Sequence, residues 1–193
     1  MSSSTASCFK NNGYTTVIAR GWYSYGEVDK DGCSSLKAAM TAGIAHRDVY
    51  FFPCVTCSTS AASQLASMVS YYKSNCSTAW SGRVWLDVEA YTMWTGSTTA
   101  NRLWYQQLVD ACKSTAGVSC GIYSSYYNWQ DIFGSTSYSY GNSLPLWYAH
   151  YDSMAGFSDF NSFGGWTKPW GKQYIGDTTA CSFSIDVNYI PAY

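Results

Sequence analysis

Charge is scarce in this chain. Only 12% of its 193 residues are Asp, Glu, Lys or Arg, and 11 basic against 12 acidic side chains leave a net charge of -1. No basic stripe exists to follow a phosphate backbone, so nucleic-acid binding has no electrostatic support. Long apolar runs are lacking as well, and nothing approaches the ~18 consecutive apolar residues of a membrane span. Histidine is limited to His46 and His150. That leaves no convincing Ser-His-Asp or Cys-His set and leaves a zinc site short of ligands. No Gly-rich phosphate loop supports a dinucleotide-binding sheet. No internal repeat or long linker divides the chain, so residues 1–193 read as one domain, ample for a real core. A secretory leader is missing too, because Met1 runs straight into "SSSTAS".

Apolar and aromatic residues are abundant. Hydrophobic residues make up 47% and aromatics 18%, with 18 Tyr and 9 Trp, which excludes a disordered, solvated chain. There are also 8 cysteines: Cys8, Cys33, Cys54, Cys57, Cys76, Cys112, Cys120 and Cys181. An even count with few His favours disulfides, hence an oxidising compartment. The sequon "NCS" at 75–77 points the same way. "CVTC" at 54–57 could be a redox pair or half a zinc site, but structural bridging is the favoured reading.

Short apolar runs alternate with helical patterns. Strands are expected at "TTVIAR" (15–20), "DVYFF" (48–52), "VWLDVE" (84–89), "CGIYS" (120–124), "LWYAHY" (146–151), "KQYI" (172–175) and "SIDVNY" (184–189). Between them, 35–42 is one helical segment. Ala61, Ala62, Leu65, Met68, Val69 and Tyr72 form the apolar stripe of a second helix. Ala100, Leu103, Trp104, Leu108, Ala111 and Cys112 form that of a third, with Ser97 or Thr98 as its cap. Strand and helix alternate through Gly121, as in βαβ units. After it the helical spacers shrink, and 152–170 is a Gly-, Ser- and aromatic-rich loop. An irregular α/β barrel fits this better than a doubly wound sheet.

The chemistry gathers at the strand ends. In "VWLDVE", Val84, Leu86 and Val88 share one face, while Trp85, Asp87 and Glu89 share the other. The apolar face belongs under helices, and the acids belong at the barrel mouth, where α/β barrels carry their sites. Their Cα atoms lie roughly 6.6 Å apart along a strand. The carboxyls could therefore converge to retaining-glycosidase distances or diverge toward inverting ones. Two close acids do not both ionise freely, which yields a proton donor beside a charged partner. A helix-capping acid followed by a surface acid would give the same D-x-E. Asp186 and Asn188 share a face in "SIDVNY". Tyr50, Tyr123, Trp147, Tyr151 and Trp170 lie in or after expected strands, where aromatic rings could stack on sugars. Core packing is the expected role of most other aromatics. His46 reads as a loop residue and His150 as a core or supporting group.

The ordered segments "GYTTVIARGW", "AGIAHRDVYFFPC", "VWLDVEAYTMW", "GIYSSYYNW", "LPLWYAHYD", "KQYIGD" and "SIDVNYI" cover nearly the whole chain. Together they resemble the glycoside hydrolase family 25 lysozymes, closest to the protist and invertebrate branch. The resemblance implies a TIM-like (β/α)5β3 barrel that hydrolyses the β-1,4 bond between N-acetylmuramic acid and N-acetylglucosamine in bacterial peptidoglycan. It implies Glu89 as proton donor and Asp87 as the partner that orients the substrate's N-acetyl group in a retaining, substrate-assisted route. Asp186 would line the same site, with Tyr50, Tyr123, Trp147 and Gln173 near the sugar, and Tyr151 is added to the substrate-binding set as a strand-end aromatic. No cofactor or metal, no nucleic acid and no membrane is implied, and the expected enzyme is a monomer that is secreted or phagosomal/lysosomal. One departure stands out. The family opens on a strand bearing an active-site Asp, whereas "MSSSTASCFKNNGY" matches the segment after it. The expected barrel therefore lacks its first strand, leaving unpaired edges on two neighbours. The alternative expectation is a catalytically impaired glycan-binding relative on the same scaffold.

Overall fold

The computed structural model describes residues 1–191. Its elements are α1 (Ser3–Asn11), β1 (Thr16–Tyr23), β2 (Glu27–Val28), α2 (Lys30–Thr41), β3 (His46–Phe51), α3 (Ala61–Cys76), β4 (Arg83–Val88), α4 (Thr98–Ser114), β5 (Ser119–Ser124), α5 (Tyr126–Phe133), β6 (Leu146–Ala149), β7 (Gly171–Ala180) and β8 (Phe183–Tyr189). The strands form one 8-stranded sheet in the order β2-β1-β3-β4-β5-β6-β7-β8. Neighbours from β1 and β3 through β7 pair in parallel, whereas β2 and β8 pair antiparallel at the two ends. The sheet curls into an open half-barrel, and no helix separates β6, β7 and β8.

Alternation along each strand builds two layers. Val84, Leu86 and Val88 are fully buried in the layer between sheet and helices, together with Leu65, Met68, Tyr72 and Leu108. Each such side chain contributes roughly 1.5–3 kcal/mol of hydrophobic stabilisation. The opposite face is lined by Trp85, Tyr123 and Trp147, with Ile18, Tyr50, Ala149 and Trp170 against them. Gly121 makes this inner packing possible, because a Cβ there would collide with the Trp85 ring. The expected stripe of α3 is buried as Ala61, Leu65, Met68, Val69 and Tyr72, whereas Ala62, also expected in it, is exposed; Ser60 caps the helix by accepting from Ser63 N at 3.2 Å. In α4, Ser97 is the cap, but the buried face is Asn101, Tyr105, Leu108, Val109 and Cys112. The stripe is rotated from the expected one, and Leu103 is 56% exposed.

Two helices were not expected, and a third is longer than expected. α2, expected at 35–42, starts at Lys30, capped by Asp29. α5 is a full helix over "YYNWQDIF", capped by Ser125 and closed by Gly134 at φ 73°. α1 is a polar helix whose buried residues are Ala6 and Phe9. Phe9 packs with Ala39 and Ile44, and Tyr14, Val17 and Ile185 lie against them. The Cys8–Cys181 disulfide ties α1 to the β7–β8 turn. The other bridges are Cys33–Cys76, Cys54–Cys57 and Cys112–Cys120, with no free cysteine. "CVTC" is therefore a disulfide, as favoured.

The edges expected to be unpaired are present. β1 meets β2 only through Trp22 and Tyr23, and among the described residues β8 has a strand neighbour on one side only. Between them opens a cavity of about 1050 Å³, lined by residues of β1 from Thr16 to Arg20 and of β8 from Ser184 to Asp186.

Candidate active site

The same cavity runs to the C-terminal strand ends and gathers Tyr50, Asp87, Glu89, Tyr123, Trp147, Tyr151, Gln173 and Asp186 of the residues singled out from the sequence, but not Trp170. Register explains the convergence. Tyr50 of β3 pairs with Trp85, Asp87 with Tyr123 of β5, and Tyr123 with Trp147 of β6. Gln173 of β7 pairs with Asn188 of β8. Each inward position thus sits beside the next around the curl. Glu89 follows β4 directly, and Ala90 turns the chain away in the left-handed region at φ 51°.

Asp87 is 2% exposed and is surrounded by the inner aromatic layer. Burial pushes its carboxyl well above the usual range, with the Glu89 charge and a Glu89 hydrogen bond adding to the effect. Its Oδ1 accepts no hydrogen bond from the described residues. Glu89 is also raised, first by burial and then by the charge of Asp186, while its hydrogen bond with Asp87 pulls it back. The sequence pattern suggested that the Asp87 charge would raise Glu89; the charge responsible is that of Asp186, delivered from β8 across the curl. Asp186 itself sits on an exposed edge. Its Oδ2 accepts from Gln173 Nε2 at 3.0 Å, and its Oδ1 from the Asp177 backbone N–H at 2.8 Å.

Gln173 organises the phenols. Its Oε1 accepts from Tyr123 at 2.5 Å and from Tyr151 at 2.8 Å. Trp147 donates its indole N–H to Asn188 Oδ1 at 2.8 Å. Tyr50 is pushed up to about 12, mainly by burial and partly by Asp87, Glu89 and Asp29, with Arg20 opposing. Tyr123 is raised by burial and then by Glu89 and Asp87. These phenols are therefore neutral hydrogen-bonding groups near neutrality. Tyr151 is 60% exposed at the rim; Tyr127, in the first turn of α5, is 75% exposed and Tyr91, in the segment after β4, is 54% exposed. Trp170 lies elsewhere. It precedes β7 and packs on Trp85 with ring centroids 4.5 Å apart and the planes tilted by 39°, at the floor of the curl.

His150, Asp152 and Asp159 bring one ligand atom each within 4.8 Å, the only such grouping among the described residues. The Lys172 ammonium lies 2.7 Å from both acids and already fills the cation position. His150 is not a core group: its side chain is 56% exposed and Nδ1 is 2.6 Å from Asp159. His46 is the first residue of β3 rather than a loop residue. Asn188, Arg20 and Asp29 also line the cavity. The inward alternation of Ile18 and Arg20 in "TTVIAR" was the signal that could have found Arg20.

An open α/β barrel with a buried carboxyl pair at its strand ends, ringed by aromatic and amide groups, defines a glycoside-hydrolase type of site. Relatives narrow it. The family described as "Lysozyme-like protein 1" matches residues 1–174. "Probable GH family 25 lysozyme 2" of Dictyostelium discoideum is 41% identical over 184 residues, covering 95% of this chain and 84% of that protein. "Lysozyme-like protein 5" of Caenorhabditis elegans is 41% identical over 194 residues, covering 99% and 87%. The structure of a muramidase from Trichobolus zukalii shares the fold, with a TM-score of 0.74 at 23% identity over 97% of this chain and 87% of that one. The chain belongs to the glycoside hydrolase family 25 lysozymes, in the lysozyme-like group.

Proposed function

We propose that this protein is a muramidase that hydrolyses the β-1,4 bond between N-acetylmuramic acid and N-acetylglucosamine of bacterial peptidoglycan. Family membership supports the activity class. The observation that carries the residue assignment is the buried carboxyl pair. Asp87 presents an oxygen without a hydrogen-bond partner among the described residues beside Glu89, whose pKa is raised by burial and by the Asp186 charge.

In this reading Glu89 donates its proton to the glycosidic oxygen as the bond breaks. The free Asp87 oxygen accepts from the N–H of the 2-acetamido group and holds the acetamide oxygen under the anomeric carbon. That oxygen attacks, the aglycone leaves with the Glu89 proton, and Glu89 then deprotonates the water that opens the cyclic intermediate with net retention. Asp186 supplies negative charge that stabilises the oxocarbenium-like transition state and keeps Glu89 protonated. Gln173, Tyr123 and Tyr151 hold sugar hydroxyls, and Trp147 packs against a ring face. Four disulfides fit a secreted or phagosomal location.

The open seam beside Asp186 favours a second reading, a glycan-binding relative that does not cut. Clearing of a purified cell-wall suspension separates the two. The wild type should clear it, and Glu89→Gln should lower the rate by ~10³-fold. Binding without clearing by the wild type supports the second reading. Clearing by Glu89→Gln at the wild-type rate rejects Glu89 as donor.

A further inference from the structure

Among the described residues lining the cavity, Arg20 has the only cationic side chain. It stands on β1, paired in register with Tyr50 of β3, which pairs in turn with Trp85 of β4. Two strand spacings, about 10 Å, therefore separate it from the strand that carries Asp87. This is the reach of one saccharide ring with an acidic arm.

One edge of the guanidinium is fixed. Nε donates to Asp29 Oδ2 at 2.8 Å, and the guanidinium carbon lies 4.1 Å from the centroid of the Tyr23 ring. Asp29 is itself immobilised: it is 4% exposed, and its Oδ1 accepts from the N–H groups of Asp31 at 3.0 Å and Gly32 at 3.3 Å at the start of α2. The Tyr72 hydroxyl holds the Asp29 carbonyl at 2.9 Å. Asp29 is the only ion-pair partner of Arg20 among the described residues, and the Arg20 side chain remains 42% exposed. A side-chain hydrogen bond with Tyr23 helps to orient the head, and among the described residues no carboxylate other than that of Asp29 pairs with it. A guanidinium edge in that state matches a carboxylate bidentately at little cost in side-chain entropy.

The remaining acids of the cavity are Asp31, Asp87, Glu89 and Asp186. They disfavour an anion along their wall of the cavity. Among the lining side chains of the described residues, Arg20 alone favours a substrate carboxylate.

We propose that Arg20 is the carboxylate-recognition site of the cleft, reading the acid that a muramic residue carries and a chitin-type glucosamine residue lacks. The proposal rests on the muramidase reading. The carboxylate has two sources: the lactyl arm of a peptide-free strand, or the stem peptide of a substituted one.

Three substrates separate the possibilities: peptide-free glycan strands with free lactyl acids, the same strands methyl-esterified, and peptide-bearing strands. New reducing ends give kcat and KM for the wild type, Arg20→Gln and Arg20→Lys. The wild type should show a KM about tenfold lower on acid than on ester strands. Arg20→Gln should lose that preference with kcat little changed, and Arg20→Lys should keep part of it. A preference on peptide-free strands assigns the lactyl acid, and one confined to peptide-bearing strands assigns the stem. Equal KM on acid and ester strands, with no advantage on peptide-bearing ones, overturns the proposal. So does an unchanged preference in Arg20→Gln, the result expected if Arg20 only neutralises Asp29. If Arg20→Gln fails to fold, the wild-type comparison and Arg20→Lys still decide. If the wild type cuts none of the three, the muramidase reading fails and the proposal falls with it.

Discussion

Two acid clusters sit at the same end of the curled sheet and behave oppositely. Among the described residues no cation pairs with Asp87 or Glu89, and burial raises both. Asp152 and Asp159 surround the Lys172 ammonium, and both are lowered. Burial alone would raise Asp159, but hydrogen bonds from Lys172, His150 and Tyr148 outweigh it and hold it at about 2. Lys172 is fully buried, yet its own pKa is raised because the hydrogen bonds to the two acids exceed the cost of desolvation. The same side-chain chemistry holds its protons more tightly in one place and forms an ion-paired clamp in the other, and the nearby cation decides which.

Substitutions can break that contrast. The largest effect on activity belongs to Glu89→Gln, with a ~10³-fold loss of kcat and folding retained. The largest effect on stability belongs to the other cluster. Lys172→Met should leave two acids facing each other without a cation and lower stability by about 3 kcal/mol. Thermal unfolding near neutral pH measures it, and an unchanged Tm would show that the clamp carries little.

A smaller and more diagnostic effect lies in the pH dependence of stability. Folded Asp87 binds its proton more tightly than unfolded Asp, so its contribution favours folding at low pH. That contribution is lost as pH rises from the unfolded value near 3.8 toward the raised folded value. Asp159 has the opposite sign. Its contribution is present above 3.8 and lost as pH falls through about 2. Asp87→Asn should therefore raise Tm by a few degrees near neutrality and remove that part of the pH dependence, at the expense of turnover. A Tm difference between Asp87→Asn and wild type that does not vary with pH would contradict the raised pKa. In the same sense, turnover should fall as pH rises past the raised Glu89 value, since the donor must carry its proton. A rate that stays flat from weak acid to neutrality would count against it. Tyr151→Phe should cost least, a few-fold in KM, because it removes one exposed hydroxyl whose partner Gln173 keeps its bond from Tyr123.

The same contrast governs how much was legible in the sequence. Asp87 and Glu89 could be read because period-two alternation in "VWLDVE" fixes their shared face, and the buried Val84, Leu86 and Val88 fix which face it is. The Lys172 clamp could not be read in the same way. Its acids come from a loop that carries no periodicity, and the ion pairs span 20 and 13 residues. α1 was invisible because only Ala6 and Phe9 are buried in it, and its anchor is a disulfide to Cys181, 173 residues away. The Asp186 effect on Glu89 depends on the curl of the whole sheet, which no local pattern contains.

The most direct test of the account is the identity of the new reducing end. Purified peptidoglycan is digested with the protein, reduced with borohydride and hydrolysed to its amino sugars. The account predicts muramitol from the wild type and almost none from Glu89→Gln. Glucosaminitol instead of muramitol, or equal muramitol from the two proteins, would contradict it.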